Sequence, residues 1–476
     1  MRPIPITFAA AMLLAGCAAP DLGPPPALSR PTDYAATTSL ATPVAAAWPA
    51  ADWWHGYGDP QLDALIAEAL AGSPDITVAA ARVRAAQGSV EQAGAAGLPQ
   101  LGAEATGGLN RQSYNNGIPE AFVPKGWNDT GRVALNASFD LDLWGRNRAA
   151  LVAATSEAEA TRLDAAQAAL MLATNVASAY ADLARLYAER DVLERALALR
   201  AATEKLVDER VAIGLDTQGE LKQARSAVPA ARVDLAANAE RISLAKNAIA
   251  ALLGAGPDRG LAITRPAVPT LAAEGLPADA GIELVGRRPD IAAARARADA
   301  AASRIKVARA DFYPNLSLSG LIGLQSLGLS NLIQGSSTIG SVGPALSLPI
   351  FDGGRLRGAY RQARGQYDEA VAGYDRILIA ALREVADAAT SRRQLDLQLG
   401  DARASLADAE GAYHVAQLRY RGGLSTFLNV LSAEQTVLTA RASLAGIESR
   451  RFSLDVALVR ALGGGFRPPL QISGTR

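Results

Sequence analysis

Very few side chains in this sequence have the chemistry of a reaction centre. Its 476 residues include two histidines, His55 and His414, and one cysteine, Cys17. The three stand far apart, so no Cys/His spacing suits zinc and no disulfide can close within the chain. Gly254-Ala255-Gly256 and Gly463-Gly464-Gly465 are glycine-rich, but neither leads into the Lys-Ser/Thr pair of a phosphate loop. They read as helix stops. No Gly-x-Ser-x-Gly element occurs, and neither histidine has an evident nucleophile or metal partner. Asp140 and Asp142 are paired acids, yet with Asn136 and Ser138 they make one series that alternates with Leu135, Ala137, Phe139, Leu141 and Leu143 at period two. That is the pattern of a wet strand face. An enzyme is not expected, nor is a metal or resident cofactor.

The one reactive position is Cys17. Arg2 gives a positive start and Ile6 to Ala15 is an apolar run too short to span a bilayer. The run ends in Leu14-Ala15-Gly16-Cys17, which resembles a bacterial lipobox. The resemblance implies that residues 1–16 are removed and that Cys17, acylated, becomes the mature N-terminus. Several acyl chains on one residue give stable anchoring, where one chain would be marginal. Ala18, standing where an Asp would retain the protein at the inner membrane, implies the outer membrane. Residues 17–50 are rich in Pro, Ala and Thr and read as an extended tether. Trp48, Trp53 and Trp54 read as packing of the first folded segment.

The elements behind these residues are long. Leu356, Tyr360, Ala363, Tyr367, Ala370, Tyr374, Ile377 and Ala381 step alternately by four and three, which is coiled-coil spacing. With no proline between Pro349 and Pro468, a helix is expected from Arg355 to about Arg421, roughly 100 Å at ~1.5 Å per residue. Arg361, Arg364, Asp368, Glu369, Asp375 and Arg376 stud it, so it is a rod in water. Its tyrosines are expected to pack between helices rather than touch cargo. Composition agrees: 49% of residues are hydrophobic, largely alanine, and only 5% are aromatic. Such a chain suits close-packed helices. With 47 basic and 47 acidic side chains, zero net charge argues against a nucleic-acid surface.

The chain repeats itself. Ser73-Pro74-Asp75-Ile76 parallels Arg288-Pro289-Asp290-Ile291 at an offset of 215 residues, and Leu98-Pro99 parallels Tyr313-Pro314. In both copies Pro sits in a first helical turn and Asp favours the helix N-terminus. Beyond, Gly145-Arg146, Gly214-Leu215 and Leu253-Gly254 match Gly354-Arg355, Gly423-Leu424 and Leu462-Gly463 at an offset of 209 residues. The extra length of the first copy lies between Pro99 and Gly145. A second helix after each turn carries the three-four pattern again, with Pro229 expected to bend the first of them.

Between the short and long helices the period falls to two. Val133 to Leu143, Leu101 to Leu109, Leu316 to Leu324 and Val342 to Ile350 are expected strands, one hairpin per copy. The joining loops, about 110–132 and 325–339, are rich in Gly, Asn and Ser. Strands with one lipid face cannot leave an edge open in a membrane, and four cannot close a barrel. The chain must therefore associate. Two copies would give eight strands and an interior filled by side chains; three would give twelve and a lumen. The wet face of Asn136, Ser138, Asp140 and Asp142 favours three.

Together these segments resemble the TolC-like outer-membrane efflux channels, in the lipoprotein branch that serves resistance-nodulation-division pumps. The carrying motifs are Leu14-Ala15-Gly16-Cys17, Arg287-Arg288-Pro289-Asp290-Ile291, Ala308 to Pro314, Leu348 to Arg355, Tyr420-Arg421-Gly422-Gly423-Leu424-Ser425 and Ala461 to Phe466. The resemblance implies a membrane α+β fold: a homotrimer whose 12-stranded β-barrel, four strands per protomer, continues into an α-helical coiled-coil periplasmic tunnel. It implies a periplasmic adaptor, an inner-membrane transporter and outer-membrane lipid as partners. On this scheme residues 51–98 open the first repeat, 99–144 form its hairpin and 145–254 its long helix pair. Residues 255–286 are an equatorial linker and 287–313 the second short helix. The second hairpin is 314–353, the second helix pair 354–463 and the equatorial tail 464–476.

The resemblance also implies a gate where the helix pairs turn, here Ile213 to Gln223 and Gly422 to Ser432. Gate candidates are Asp216, Glu220, Gln223, Ser425, Asn429 and Ser432, with Gly214, Gly422 and Gly423 turning the backbone. Relatives often carry acids at the positions of Asn429 and Ser432. An acidic ring here would come from Asp216 or Glu220, so a less cation-selective gate is expected. A polypeptide-passing type I secretion channel and a purely structural coiled-coil lipoprotein remain alternative readings.

Overall fold

A computed structural model of the chain describes residues 20–40, 46–267, 276–277 and 279–467. The lipobox and Cys17 lie outside the described residues. In chain order the helices and strands are α1 (Pro60–Gly72), α2 (Pro74–Ala95), β1 (Gln100–Asn110), β2 (Asn128–Asp140), α3 (Arg146–Ala212), α4 (Gln218–Leu252), α5 (Asp258–Leu261), α6 (Ala280–Arg287), α7 (Pro289–Ala310), β3 (Asn315–Leu327), β4 (Thr338–Ser347), α8 (Arg355–Arg421) and α9 (Phe427–Ala461). The chain divides into two compact units. One comprises Val83–Thr161 and Ala294–Tyr374 with the N-terminal segment to Leu28; the other comprises Ser29–Arg82, Arg162–Ala293 and the chain from Asp375.

Helix lengths pair off. α3 and α8 have 67 residues each, α4 and α9 have 35, and α2 and α7 have 22. The expected seam of α8 is buried or half-buried at every position from Leu356 to Ala381. α8 starts where Asp352 accepts hydrogen bonds from the Gly354 and Leu356 amides, both 2.8 Å, satisfying otherwise orphaned first-turn donors. Pro229 lies inside α4, which runs through it as one helix.

The first unit holds one antiparallel sheet in the order β1-β2-β3-β4. Register sorts its faces. Val133 lies opposite Leu324, Leu135 opposite Ile322 and Phe139 opposite Leu318. Leu316 faces Leu346 and Gly320 faces Val342 on the same side. The other face carries Asn136 and Ser138, paired with Gly102 and Gln100, and Asp140, opposite Ser317. One face is thus apolar and the other polar, although Leu321 and Ile339 intrude on the polar side. Pro344 falls in β4, an edge of this sheet, where a missing N–H is tolerated.

Asp142 departs from expectation. The strand expected to reach Leu143 ends at Asp140, and Asp142 adopts φ 46°. Its carboxylate accepts from the Asn147 amide at 2.9 Å and the Arg148 amide at 3.1 Å. It starts α3, as Asp352 starts α8, and does not extend the polar strand face. Leu348 and Ile350 likewise lie past the end of β4.

The N-terminal segment is docked. Arg364 donates to the Gly23 carbonyl at 3.0 Å and the Pro24 carbonyl at 2.6 Å, and the Tyr367 hydroxyl donates to Pro26 at 2.9 Å. Tyr367 therefore grips this strap, while Tyr374 is buried and Tyr360 meets Phe312 edge-on.

Among its described residues the second unit gathers two apolar clusters. One gathers Trp53, Tyr57, Leu62, Ile66, Val176, Tyr180, Ile249 and Phe452. Each fully buried large side chain there stabilises by about 1.5–3 kcal/mol. Asp59 caps α1, accepting from the Gln61 amide and from the Tyr180 hydroxyl at 2.7 Å. The Arg288 motif is a staple: its guanidinium donates to the carbonyl of Ala461 and pairs with Asp290 and Glu384. Gly463 has φ 86°, and a Cβ there would overlap the Arg287 carbonyl oxygen, so α9 stops where only glycine fits.

Candidate functional site

The second apolar cluster lies at the two helix turns. Val207 of α3, Leu221 and Ala224 of α4, Tyr413 and Tyr420 of α8, and Phe427, Val430 and Val437 of α9 pack together. The connection from α3 to α4 is residues 213–217 and that from α8 to α9 is 422–426. Gly214 and Gly423 have φ 76° and 73°, where a side chain would be strained. The Leu215 amide bonds to Arg210 and the Leu424 amide to Arg419, so the two backbone turns are alike.

Their side chains are not. Arg210 donates to Asp216 through Nε at 2.9 Å, and the two side chains are only 10% and 6% exposed. The same guanidinium reaches across to the second pair. Its Nη1 donates to the Tyr420 carbonyl at 2.8 Å, and its centre sits 4.4 Å from the Tyr420 ring centroid. The Tyr420 hydroxyl donates to Asp216 Oδ2. Burial and the adjacent Asp216 carboxylate push the Tyr420 hydroxyl pKa up, so it stays a neutral donor. Arg210 also neutralises carbonyl charge at the C-terminus of α8. Charge-assisted bonds of this kind are about twice as strong as neutral ones.

Glu220 has a local task. It forms a capping box with Thr217, accepting from the Thr217 amide at 2.7 Å while the Thr217 hydroxyl accepts from the Glu220 amide at 3.3 Å. Gln223 is exposed one turn on. In the second turn Ser425 stands at the position of Asp216, and its buried hydroxyl has no partner. Thr426 starts α9 without a side-chain cap. Asn429 and Ser432 are exposed.

The structure thus brings Asp216 and Ser425 to the turns, with Glu220, Gln223, Asn429 and Ser432 on the adjoining helices. It engages both expected acids inside the chain. Sequence reasoning missed Arg210 and Tyr420. Their signal was available: a basic residue six positions before an acid across a glycine turn, and an aromatic residue just before Gly422-Gly423. Among the described residues no group of His, Cys, Asp and Glu could hold a metal ion. Asn136, Ser138 and Asp140 lie in the other unit, on the polar sheet face.

A sheet with one apolar and one polar face, on a chain of paired long helices, defines a channel-forming envelope protein. The chain belongs to the outer membrane efflux protein family, whose sequence model matches residues 65–255 and 283–464. It is 39% identical over 361 residues to the fusaric acid resistance protein FusA of Burkholderia cepacia, covering 74% of this chain and 67% of that one. It is 32% identical over 429 residues to the multidrug resistance outer membrane protein MdtP of Escherichia coli, covering 88% and 87%. The crystal structure of the outer membrane protein VceC of Vibrio cholerae superposes with a TM-score of 0.84 at 44% identity, covering 88% of this chain and 100% of that one. The Campylobacter jejuni CmeC outer membrane channel gives 0.84 at 25% identity, covering 94% and 95%. The protein is an outer-membrane exit duct of a tripartite efflux system.

Proposed function

We propose that three copies of this chain close their sheets into one 12-stranded barrel and that their helix pairs, related by internal duplication, form the tunnel wall. The observation that carries this is the register: a single sheet with opposite apolar and polar faces, ending in β1 on one side and β4 on the other. Such a sheet needs another copy at each edge before its apolar face can meet lipid. Asn136, Ser138 and Asp140 then line a wet lumen. The equal helix lengths support the duplication.

The cargo is small molecules handed over by a resistance-nodulation-division type pump, as drug and fusaric acid resistance in relatives suggest. The chain carries lipid on Cys17. The tie of Arg210, Asp216 and Tyr420 holds the second helix pair against the first and keeps the duct shut at rest. Cysteines introduced in β1 and β4 test the assembly. Trimeric cross-linked species are expected, with discrete conductance in planar bilayers. Dimers as the largest species would overturn it. Retention of radiolabelled palmitate by wild type and its loss in Cys17→Ala tests the anchor.

A further inference from the structure

A second polar link joins the helix pairs, and neither turn contains it. Glu434, on α9, is 3% exposed and lies among Phe427, Val430 and Val437 of its own helix. Its Oε2 accepts from the Thr203 hydroxyl of α3 at 2.7 Å. Thr203 is itself buried, and its Oγ1 lies 3.5 Å from the Tyr413 hydroxyl of α8. Gln417, one turn further along α8, donates to that same hydroxyl. Three helices therefore meet at the Thr203 hydroxyl, with the Glu434 carboxyl group on one side of it and the Tyr413 hydroxyl on the other. Thr203 and Arg210 are seven residues apart on α3, about 10 Å along the axis. The position 209 residues earlier is Arg225, which faces outward to Asp208 at 2.9 Å and Glu204 at 3.8 Å. The buried acid thus belongs to one repeat alone.

We infer that Glu434 is a positioning residue of the gate, a proton-dependent tie that holds α9 on α3 when neutral and loosens it when charged. The inference rests on reading the chain as a gated channel. Glu434 and Thr203 sit on different helix pairs, so any movement that parts the pairs at the turns takes the carboxyl group from an apolar cluster into water. A carboxylate gains by that move and a carboxylic acid does not. Burial raises the Glu434 pKa above its ordinary value, against the opposing pull of the Thr203 hydroxyl and of Arg200, the nearby cation of α3. Arg200 is shared with α4, where Asp234 lies 4.0 Å away. From α8 the facing groups are the Tyr413 hydroxyl, itself pushed up by burial, and Gln417.

The sign follows from linkage. The closed form binds the proton more tightly than a parted, hydrated form. Closure is therefore favoured below the ordinary glutamate pKa and weakens as pH rises through the raised value. Each unit of pKa difference between the two forms changes the open-to-closed ratio by up to about tenfold.

The test is open probability of the full-length protein in planar bilayers, with one chamber and then the other taken from about pH 8 to about pH 5. The low resting open probability of wild type is expected to fall further on acidification of the chamber that bathes the turns and not of the other. Glu434→Gln, neutral throughout, is expected to stay closed at every pH. Thr203→Val removes a donor that favours the carboxylate, so its transition is expected at higher pH, with Thr203→Ser restoring the wild-type midpoint. This second variant serves even where Glu434→Gln fails to assemble. His414→Gln, at an exposed site on α8, is expected to respond like wild type. A conducting wild type without pH dependence, or a Glu434→Gln channel that keeps the wild-type response, would overturn the inference while leaving the channel standing. Absence of conductance at every pH would sink the channel reading and the inference with it.

Discussion

The two turns share a backbone and differ in what holds them. Residues 213–217 are stapled: Asp216 to Arg210, Glu220 to Thr217, each bond inside the first repeat. Residues 422–426 have a serine where the acid would be and a threonine that caps nothing. The polar links that the second turn does have come from across the boundary, from Arg210 to the Tyr420 and Arg421 carbonyls and from Tyr420 to Asp216. α8 and α9 are joined to each other further along by Arg392–Asp455, Arg403–Glu448 and Arg441–Glu410, so the dependence is confined to the turn. A turn held by its neighbour can be released while its own helix pair stays together, which suits a moving part beside a fixed one.

Substitutions can break that contrast in a graded way. Arg210→Ala should do most, because it strands Asp216 and frees two α8 carbonyls. Removing one partner of a buried pair costs about 3 kcal/mol, so the resting duct should leak. Influx of a bulky dye into whole cells, and raised basal current in bilayers, would register it. Tyr420→Phe removes one hydrogen bond to a charged acceptor, worth about 1.5–3 kcal/mol. A smaller leak is expected, with the helical circular dichroism signal unchanged. Glu220→Ala removes half a capping box, about 1 kcal/mol, and should lower thermal stability of the first pair while leaving resting current near wild type. Ser425→Ala should be near neutral in both assays, since its hydroxyl bonds nothing. A Ser425→Ala leak as large as that of Arg210→Ala would erase the contrast between the turns. The exposed positions sharpen it in charge rather than stability. Asn429→Asp should move the reversal potential toward cation preference, and Glu220→Gln should not.

Periodicity made most of the fold legible. The steps of four and three from Leu356 and the absence of proline before Pro468 predicted a helix to about Arg421, where α8 ends, because a long seam leaves no other way to bury so many small apolar residues. Strands were found by period two, but their ends were not. Asp142 continued the alternation in sequence while its carboxylate was committed to the amides of Asn147 and Arg148. A two-residue period says nothing about where a helix takes over. At the turns, position was legible and partnership was not. Asp216 and Glu220 were recognisable as acids near a turn. Thr217-x-x-Glu220 is capping-box spacing and could have been read; that Arg210 neutralises Asp216 and also reaches Tyr420 depends on how the second helix pair packs against the first. Glu434 was invisible for the same reason. It sits in a helical pattern as any surface glutamate would, and only the packing of α3 and α8 against it makes it buried.

The strap along α8 has a consequence for how this protein can vary. Arg364 and Tyr367 grip carbonyl oxygens of Gly23, Pro24 and Pro26, which every amino acid possesses. Recognition is therefore blind to the side chains of the segment it holds. Proline contributes by fixing φ near −65° and so presenting those oxygens in an extended run. Substitutions in the N-terminal segment that keep it extended should leave its seat intact, whereas replacing Arg364 or Tyr367 removes the donors that hold it.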